Sequence, residues 1–299
     1  MTRNVAASVR QRLLNISKSD KRPFGEILQY YAMERFLFRL SQSKLRDRFI
    51  LKGALLLSVW EIADKRATMD IDLLGQTSNA EQTIRTNIRE IIQAPIEDDG
   101  LLFDPASITI EPIDEDGDYS GLRVKFKGEL SRARVHMQID IGFGDQIHPS
   151  AKLESLPVIL DHPTPDLFCY SKESVIAEKF EAMIKLSMLN SRMKDFFDIW
   201  ILSRCFDFDG QSLAQAVEIT LTNRKTILPT NIAAFSTEFV NQKQVQWTAF
   251  SKRQEPNIAP ANFSEVVSHI AIFLTPVCKA LSTQIQLNLH WSAKTLSWK

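Results

Sequence analysis

Apolar residues fall at helical spacing in two early stretches, 5–18 and 23–42, the second carrying Ile27, Tyr30, Tyr31, Met33, Phe36, Leu37 and Leu40. Residues three and four apart share one face of a helix, so this pattern predicts an N-terminal helical pair. A short apolar run, Phe49-Ile50-Leu51, then meets Lys52 and Gly53 and passes into Ala54-Leu55-Leu56-Leu57-Ser58-Val59-Trp60, which reads as a turn opening a buried helix. From Met69 to about Phe143 the period shortens to two in Ser107–Ile113, Gly121–Lys127 and Ala133–Ile141, with one helical stretch near 80–94. This middle part is the expected sheet.

Helical spacing returns at Ser171, a suitable N-cap, and continues to the end, punctuated by Pro229, Pro256 and Pro260. Pro157, Pro163 and Pro165 mark a linker near 155–170, so the expected division is residues 1–160, N-terminal helices plus an α/β domain, and residues 161–299, a helical domain. No internal repeat is visible. The expected fold class is α+β: a mixed β-sheet core with N-terminal helices and a C-terminal helical region.

Composition narrows the chemistry. The 299 residues are 44% hydrophobic, enough for a full core. Lys plus Arg and Asp plus Glu number 36 each, so no global field draws a polyanion and any nucleic acid must be held by local patches. Cys169, Cys205 and Cys278 lie far apart, without zinc spacing or a disulfide framework, which fits a reducing cytoplasm. Met1-Thr2-Arg3-Asn4-Val5 leads into no apolar signal core, and no stretch reaches the ~20 apolar residues of a membrane span. The expectation is a soluble, cytoplasmic chain with no membrane partner.

The sharpest chemical signal is Arg66-Ala67-Thr68-Met69-Asp70-Ile71-Asp72-Leu73-Leu74, where two aspartates two apart in a strand leave one face and the apolar residues the other. Two carboxylates at ~4 Å repel by about 4 kcal/mol at an effective dielectric near 20, so the pair calls for a cation. Oxygen ligands of this kind suit Mg2+ or Mn2+. On its own an Asp-x-Asp is more often a solvated strand edge. A second strand ending in Gln138-Ile139-Asp140-Ile141 places Asp140 on a polar face with Arg134, His136 and Gln138. If the strands are neighbours, Asp140 joins Asp70 and Asp72 as a third carboxylate.

Lys52 and Gly53 precede a helix start, where backbone amides suit a phosphate. Alone, they read equally as a surface lysine and a turn glycine. Further on, Glu178-Lys179-Phe180-Glu181-Ala182-Met183 continues a helix, and Asn190-Ser191-Arg192-Met193-Lys194-Asp195-Phe196-Phe197-Asp198 starts another, with Ser191 as its expected cap. Met193, Phe196, Phe197 and Trp200 form its buried stripe, and Lys194 with Asp198 one turn away reads as a solvated ion pair. The sharper alternative sets Lys179, Arg192 and Lys194 against a triphosphate with Asp195 ordering one of these cations.

Two other features are weaker. Asp114-Glu115-Asp116-Gly117-Asp118 looks calcium-like, but with Gly117 at loop position six the first and twelfth positions are Pro112 and Arg123, so it reads as a hairpin turn. Arg123, Lys125 and Lys127, extended by Arg132 and Arg134, form either a basic surface for an RNA backbone or a solvated sheet face. A lone His136 is left out of the catalytic set.

Three blocks resemble the AbiEii-type toxins, a branch of the nucleotidyltransferase superfamily: Phe49-Ile50-Leu51-Lys52-Gly53-Ala54 through Arg66-x-Thr68-x-Asp70-Ile71-Asp72; Gln138-Ile139-Asp140-Ile141-Gly142; and Ala177-Glu178-Lys179-Phe180-Glu181-Ala182 with Asn190 to Asp198. The resemblance runs from about residue 25 to the end and is loose beyond Arg204. It implies a nucleotidyltransferase-like sheet, catalytic roles for Asp70, Asp72, Lys179 and Asp195, and nucleotide binding by Lys52, Gly53, Ala54, Arg66, Arg192 and Lys194. It also implies Mg2+ or Mn2+ at Asp70, Asp72 and Asp140, and a nucleoside triphosphate substrate whose nucleotidyl group goes to an RNA such as transfer RNA, with loss of pyrophosphate. The partner implied is a cognate antitoxin, in a toxin–antitoxin or abortive-infection system of phage defence. One departure is Ala54-Leu55-Leu56, which lacks the hydroxyl that relatives place near the phosphate. A metal-dependent phosphodiesterase or nuclease, and a non-catalytic nucleotide-binding module, are the competing readings.

Overall fold

The computed structural model describes residues 4–63, 68–115, 119–254 and 258–299. Met1, Thr2, Arg3, Arg66, Pro256 and the Asp116-Gly117-Asp118 turn lie outside the described residues. The chain forms two compact units, one of residues 1–61, 67–144 and 152–169, the other of 62–66, 145–151 and 170–299.

The first unit opens with the expected helical pair, α1 (Val5–Ser19) and α2 (Phe24–Gln42). Asn4 caps α1 by accepting the Ala7 N–H at 3.1 Å. Strand β1 (Phe49–Lys52) then enters a 3-10 turn at Gly53–Leu55 and the four-residue helix α3 (Leu56–Val59). The expected buried helix is thus a single turn, although Leu55, Leu56, Leu57 and Val59 are buried as anticipated. Strand β2 (Ile71–Gly75), helix α4 (Glu81–Ile92) and strands β3 (Leu101–Glu115), β4 (Tyr119–Leu130) and β5 (Ala133–Phe143) follow.

Two short strands, β6 (Lys152–Ser155) and β7 (Asp166–Cys169), complete a seven-stranded mixed sheet in the order β3-β4-β5-β2-β1-β7-β6. The proline-marked stretch read as a linker therefore joins two paired strands inside the first unit. Its role as a connector was suggested by Pro157, Pro163 and Pro165, which instead shape the crossing from β6 to β7. Strands β3 and β4 pair antiparallel up to Glu115 opposite Tyr119, and the calcium-like run expected to turn between them lies at Asp116-Gly117-Asp118 outside the described residues. Pro105 and Pro112 are tolerated because β3 lies at the sheet's edge.

Alternation decides which face is covered. Val135, Met137, Ile139 and Ile141 on β5 and Ile71 and Leu73 on β2 are buried. Helix α2 lies over this face, with Gln29 donating to the Met69 carbonyl at 3.1 Å and its Nε2 4.0 Å from Met137 Sδ. The opposite face carries Asp72 and Asp140.

Inside α2, Glu34 and Arg35 are 0% and 1% exposed. Glu34 Oε2 accepts the Ile159 N–H at 2.8 Å, while Oε1 stands 3.7 Å from Arg35 Nε and neither of those two atoms has a hydrogen-bond partner. Arg39 makes a two-pronged bond to Asp99 at 2.8 and 3.0 Å. This charged seam ties α2 to the loop before β3 and to the segment between β6 and β7.

The second unit contains α5 (Lys172–Leu186), α6 (Met193–Cys205), α7 (Gly210–Asn223), α8 (Thr237–Ser251) and α9 (Phe263–Thr283). Ser171 caps α5 through the Ser174 N–H at 3.1 Å, as expected. A small antiparallel sheet of β8 (Phe208–Asp209), β9 (His290–Ser292) and β10 (Ser297–Trp298) was not anticipated. Its core is aromatic: Phe196, Phe239, Phe263, Phe273, Trp247 and Trp291 are fully buried. Helix α9 corrects one sequence reading, because by length and composition it is apolar enough to cross a membrane. Phe263, Val266, Val267, Ile270, Phe273, Leu274, Val277 and Ala280 on it are buried at three- and four-residue spacing, the stripe of a core helix.

Burial is the main reason that the Glu34 carboxyl is pushed up to about 8, against the Ile159 N–H and the Arg35 charge. Between pH ~4.5 and ~8 the folded chain keeps a proton that the unfolded chain has lost, so stability is fully present at low pH and falls as pH rises through 8. Melting curves from pH 5 to 8.5 should show this decline, and Glu34→Gln should flatten it by a few kcal/mol; an unchanged slope in that variant would assign the decline to other groups.

Candidate active site

Strand pairing builds a charged row on the face of the first unit's sheet opposite the one that α2 covers. Asp72 on β2 lies opposite Asp140 on its parallel neighbour β5, and opposite Lys52 on its antiparallel neighbour β1. Asp140 in turn lies opposite Arg123 on β4. Directly opposed residues on adjacent strands present their side chains to the same face. Four neighbouring strands therefore carry Arg123, Asp140, Asp72 and Lys52 in sequence, two carboxylates flanked by two cations. The assumption that the two aspartate-bearing strands are neighbours is met.

Arg123 holds Asp140 with both prongs, Nε to Oδ1 at 2.8 Å and Nη2 to Oδ2 at 2.7 Å. The hydrogen bond to Asp140 is the largest cause of the raised pKa of Arg123, and the Asp70 charge adds to it. Asp70 stands just before β2 and accepts Thr68 Oγ1 at 2.6 Å. Asp140 is thus engaged by an arginine. Among the described residues no group of three or more His, Cys, Asp or Glu is arranged to hold a metal ion. The carboxylates closest in type to a divalent-cation pair are Asp70 and Asp72, with Asp140 as their arginine-bound neighbour.

Gly53 shows why Asp72 takes its place. Its φ is +74°, and a Cβ added there would sit 1.9 Å from Asp72 Oδ2 and 2.6 Å from its Cγ. The carboxylate fills the space that any side chain would need, and the backbone adopts a conformation natural to glycine. This cradle fits a carboxylate held at the mouth of a turn. Lys52 and Gly53 border it; Ala54, also expected at the nucleotide, is buried.

In the second unit, Lys179 on α5 meets α6. Its Nζ is 2.9 Å from Asp195 Oδ1 and 2.8 Å from Asp198 Oδ2. Arg192 Nε adds 2.7 Å to Asp195 Oδ2. Both aspartates are buried, at 1% and 2% side-chain exposure. Asp195 therefore orders two cations at once.

Three local expectations are corrected. Asp198 is no solvated partner of Lys194; it faces inward to Lys179, and Lys194 is exposed. Sequence reasoning missed Asp198 because helical spacing alone offered an i, i+4 partner on its own helix. Ser191 does not cap α6, whose N-cap is Arg192; Asn190 Oδ1 instead accepts the Arg192 N–H at 2.8 Å. Two cations of the basic sheet surface are engaged by carboxylates rather than left to a solvated face: Arg123 binds Asp140 and Lys125 binds Glu111 at 2.5 Å.

A family model described as nucleotidyl transferase AbiEii toxin, type IV TA system, matches residues 35–269. The chain belongs to the AbiEii nucleotidyl transferase toxin family. The match begins in α2, ends in α9, and includes Lys52, Asp70, Asp72, Arg123, Asp140, Lys179, Arg192, Asp195 and Asp198. This AbiEii protein is accordingly a toxin nucleotidyltransferase, and its family implies a nucleotide substrate and an antitoxin. No curated protein matches it. Among solved structures, JHP933 from Helicobacter pylori aligns with a TM-score of 0.50 at 13% identity, over 87% of this chain and 94% of that one. A second Helicobacter pylori structure, described as a candidate nucleotidyltransferase, gives 0.49 at 12% identity over 87% and 98%. At such identity JHP933 shows a shared fold alone.

Gly53→Ala should displace the Asp72 carboxylate and force a strained φ, lowering stability by roughly 1–3 kcal/mol and nucleotidyl transfer at least ~10-fold. Gly25→Ala, where an added Cβ meets nothing within 4 Å, is the control and should keep full activity. Equal activity in the two variants would show that the cradle has no part in the reaction.

Proposed function

We propose that this AbiEii toxin transfers a nucleotidyl group from a nucleoside triphosphate to a hydroxyl of RNA, transfer RNA being the expected acceptor, and so arrests translation. The observation that carries this reading is the packing of the Asp72 carboxylate into the space left by Gly53, in a row shared with Asp140, within a chain of this family. Asp70 and Asp72 would hold Mg2+ or Mn2+, since both are oxygen donors beside a turn. A bound divalent ion supplies neutralisation of the triphosphate's negative charge.

The chain's own residues do the rest. Lys179, held by Asp195 and Asp198, presents an ammonium whose direction is fixed, the kind of preorganised charge that suits a phosphate as negative charge develops on it. Arg192, braced by Asp195 and about 40% exposed, offers a second cation. Lys52 and the Gly53 turn border the Asp72 carboxylate. Arg123 orients Asp140 through both of its carboxylate oxygens, so that it acts on the field around Asp72. In the transfer an RNA hydroxyl oxygen bonds to the α-phosphorus and the bond from that phosphorus to the bridging oxygen breaks. Pyrophosphate leaves and the hydroxyl proton passes to solvent. An antitoxin encoded with the toxin would oppose its effect in the cytoplasm, in a system serving abortive infection.

Purified protein incubated with total RNA, Mg2+ and each α-labelled nucleoside triphosphate in turn should place label on RNA ends, read by end sequencing, with stoichiometric pyrophosphate. Asp72→Asn should lower incorporation by at least ~100-fold, on the order of 3 kcal/mol of transition-state stabilisation, while its melting temperature stays near that of the parent. RNA cleavage without label incorporation would replace transfer with a nuclease reaction.

A further inference from the structure

Helix α5 is gripped on a side that the proposed chemistry does not use. Successive residues turn by about 100° around a helix. Ile176, Phe180 and Met183 face the core at 0% exposure. Lys179 leaves on one flank toward Asp195 and Asp198, and Glu178 with Glu181 leave on the other. There they meet Arg224, which ends α7. Arg224 Nη1 donates to Glu181 Oε2 at 3.0 Å, and its Nη2 lies 2.9 Å from Asp145 Oδ1 and 3.5 Å from Glu178 Oε2. Thr226 Oγ1 donates to the other oxygen of Glu181 at 2.5 Å.

The end of α7 fixes this arginine. Its backbone N–H returns to the Thr220 carbonyl at 3.0 Å, the chain turns left-handed at Lys225 with φ 52°, and the Thr226 N–H reaches the Leu221 carbonyl at 2.9 Å. Arg224, Asp145 and Glu181 are 18%, 4% and 3% exposed. Burial works against the guanidinium charge, but Glu178 and Asp145 outweigh it and raise its pKa. One planar fork serves three carboxylates from two segments, which a lysine's point charge does not reproduce.

Three carboxylates around one buried cation are a poor way to gain stability alone, because desolvation offsets much of the attraction. The apolar face of α5 already anchors the helix. The cluster supplies something the core does not: it fixes the helix's rotation at the residue next to Lys179 in sequence. We propose that Arg224 is a positioning residue, which by holding Glu178 and Glu181 sets the direction of the Lys179 ammonium. This rests on the reading of Lys179 as the cation that meets the triphosphate.

The test is a double-mutant cycle on the full chain. Binding of α-labelled ATP, CTP, GTP and UTP, each alone with Mg2+, is measured for the parent, Arg224→Gln, Lys179→Ala and the double variant. Arg224→Gln should weaken the best-bound nucleotide by about tenfold, yet add nothing once Lys179 is alanine. Losses that multiply in the double variant, or parental affinity in Arg224→Gln, would overturn the proposal. Unchanged binding in Lys179→Ala would instead sink the functional reading beneath it, and the proposal with it. If Arg224→Gln does not fold, Arg224→Lys replaces it, keeping the charge beside Asp145 and Glu181 without the fork. It should show a several-fold loss that again disappears with Lys179; parental affinity there counts against the proposal.

Discussion

Strand β2 pairs with unlike neighbours, antiparallel to β1 and parallel to β5, and this double pairing sets the register on which the first unit's chemistry depends. Side chains alternate along a strand, so a slip of one residue would turn Asp72 and Asp140 toward α2 and send Ile71, Leu73 and Ile139 to the opposite face. The apolar set that α2 covers thereby prevents the slip. Two functions usually treated apart, core formation and alignment of charge, are here opposite faces of one sheet.

The charged row moderates its own repulsion. Asp140 is bound on both oxygens by Arg123, and Asp72 faces Lys52 across the sheet. A row in which two carboxylates are flanked by cations leaves them less strained than two bare neighbouring carboxylates would be, and it gives the Arg123 side chain a task other than contact with RNA. In the second unit the same economy appears on helices. Asp195 accepts a hydrogen bond from Lys179 and forms an ion pair with Arg192, and Asp198 completes the lysine's shell. Buried pairs of this kind contribute orientation more than net stability.

Long, strongly periodic segments were legible in the sequence. The helices over 5–19 and 24–42, the alternation of β4 and β5 and the Ser171 cap follow directly from spacing and side-chain chemistry. What escaped was short or non-local. Strands β6 and β7 have four residues each and lie beside prolines that look like a linker. The small sheet of the second unit has strands of two or three residues, too brief for any period. Asp198 and Arg224 were invisible as partners of α5 because 19 and 46 positions of chain, counted from Lys179 to Asp198 and from Glu178 to Arg224, separate residues that touch. The family motifs located Lys179 and Asp195; geometry was needed to learn that Asp195 serves two cations.

Gly53 and Asp72 occupy a single volume, and that has a consequence for inheritance. A chain that keeps the carboxylate tolerates no methyl at position 53, while a chain that has lost it would have room for one. Descendants that abandon catalysis but retain the fold should therefore change both positions together, leaving a paired scar in the sequence where an enzyme used to be.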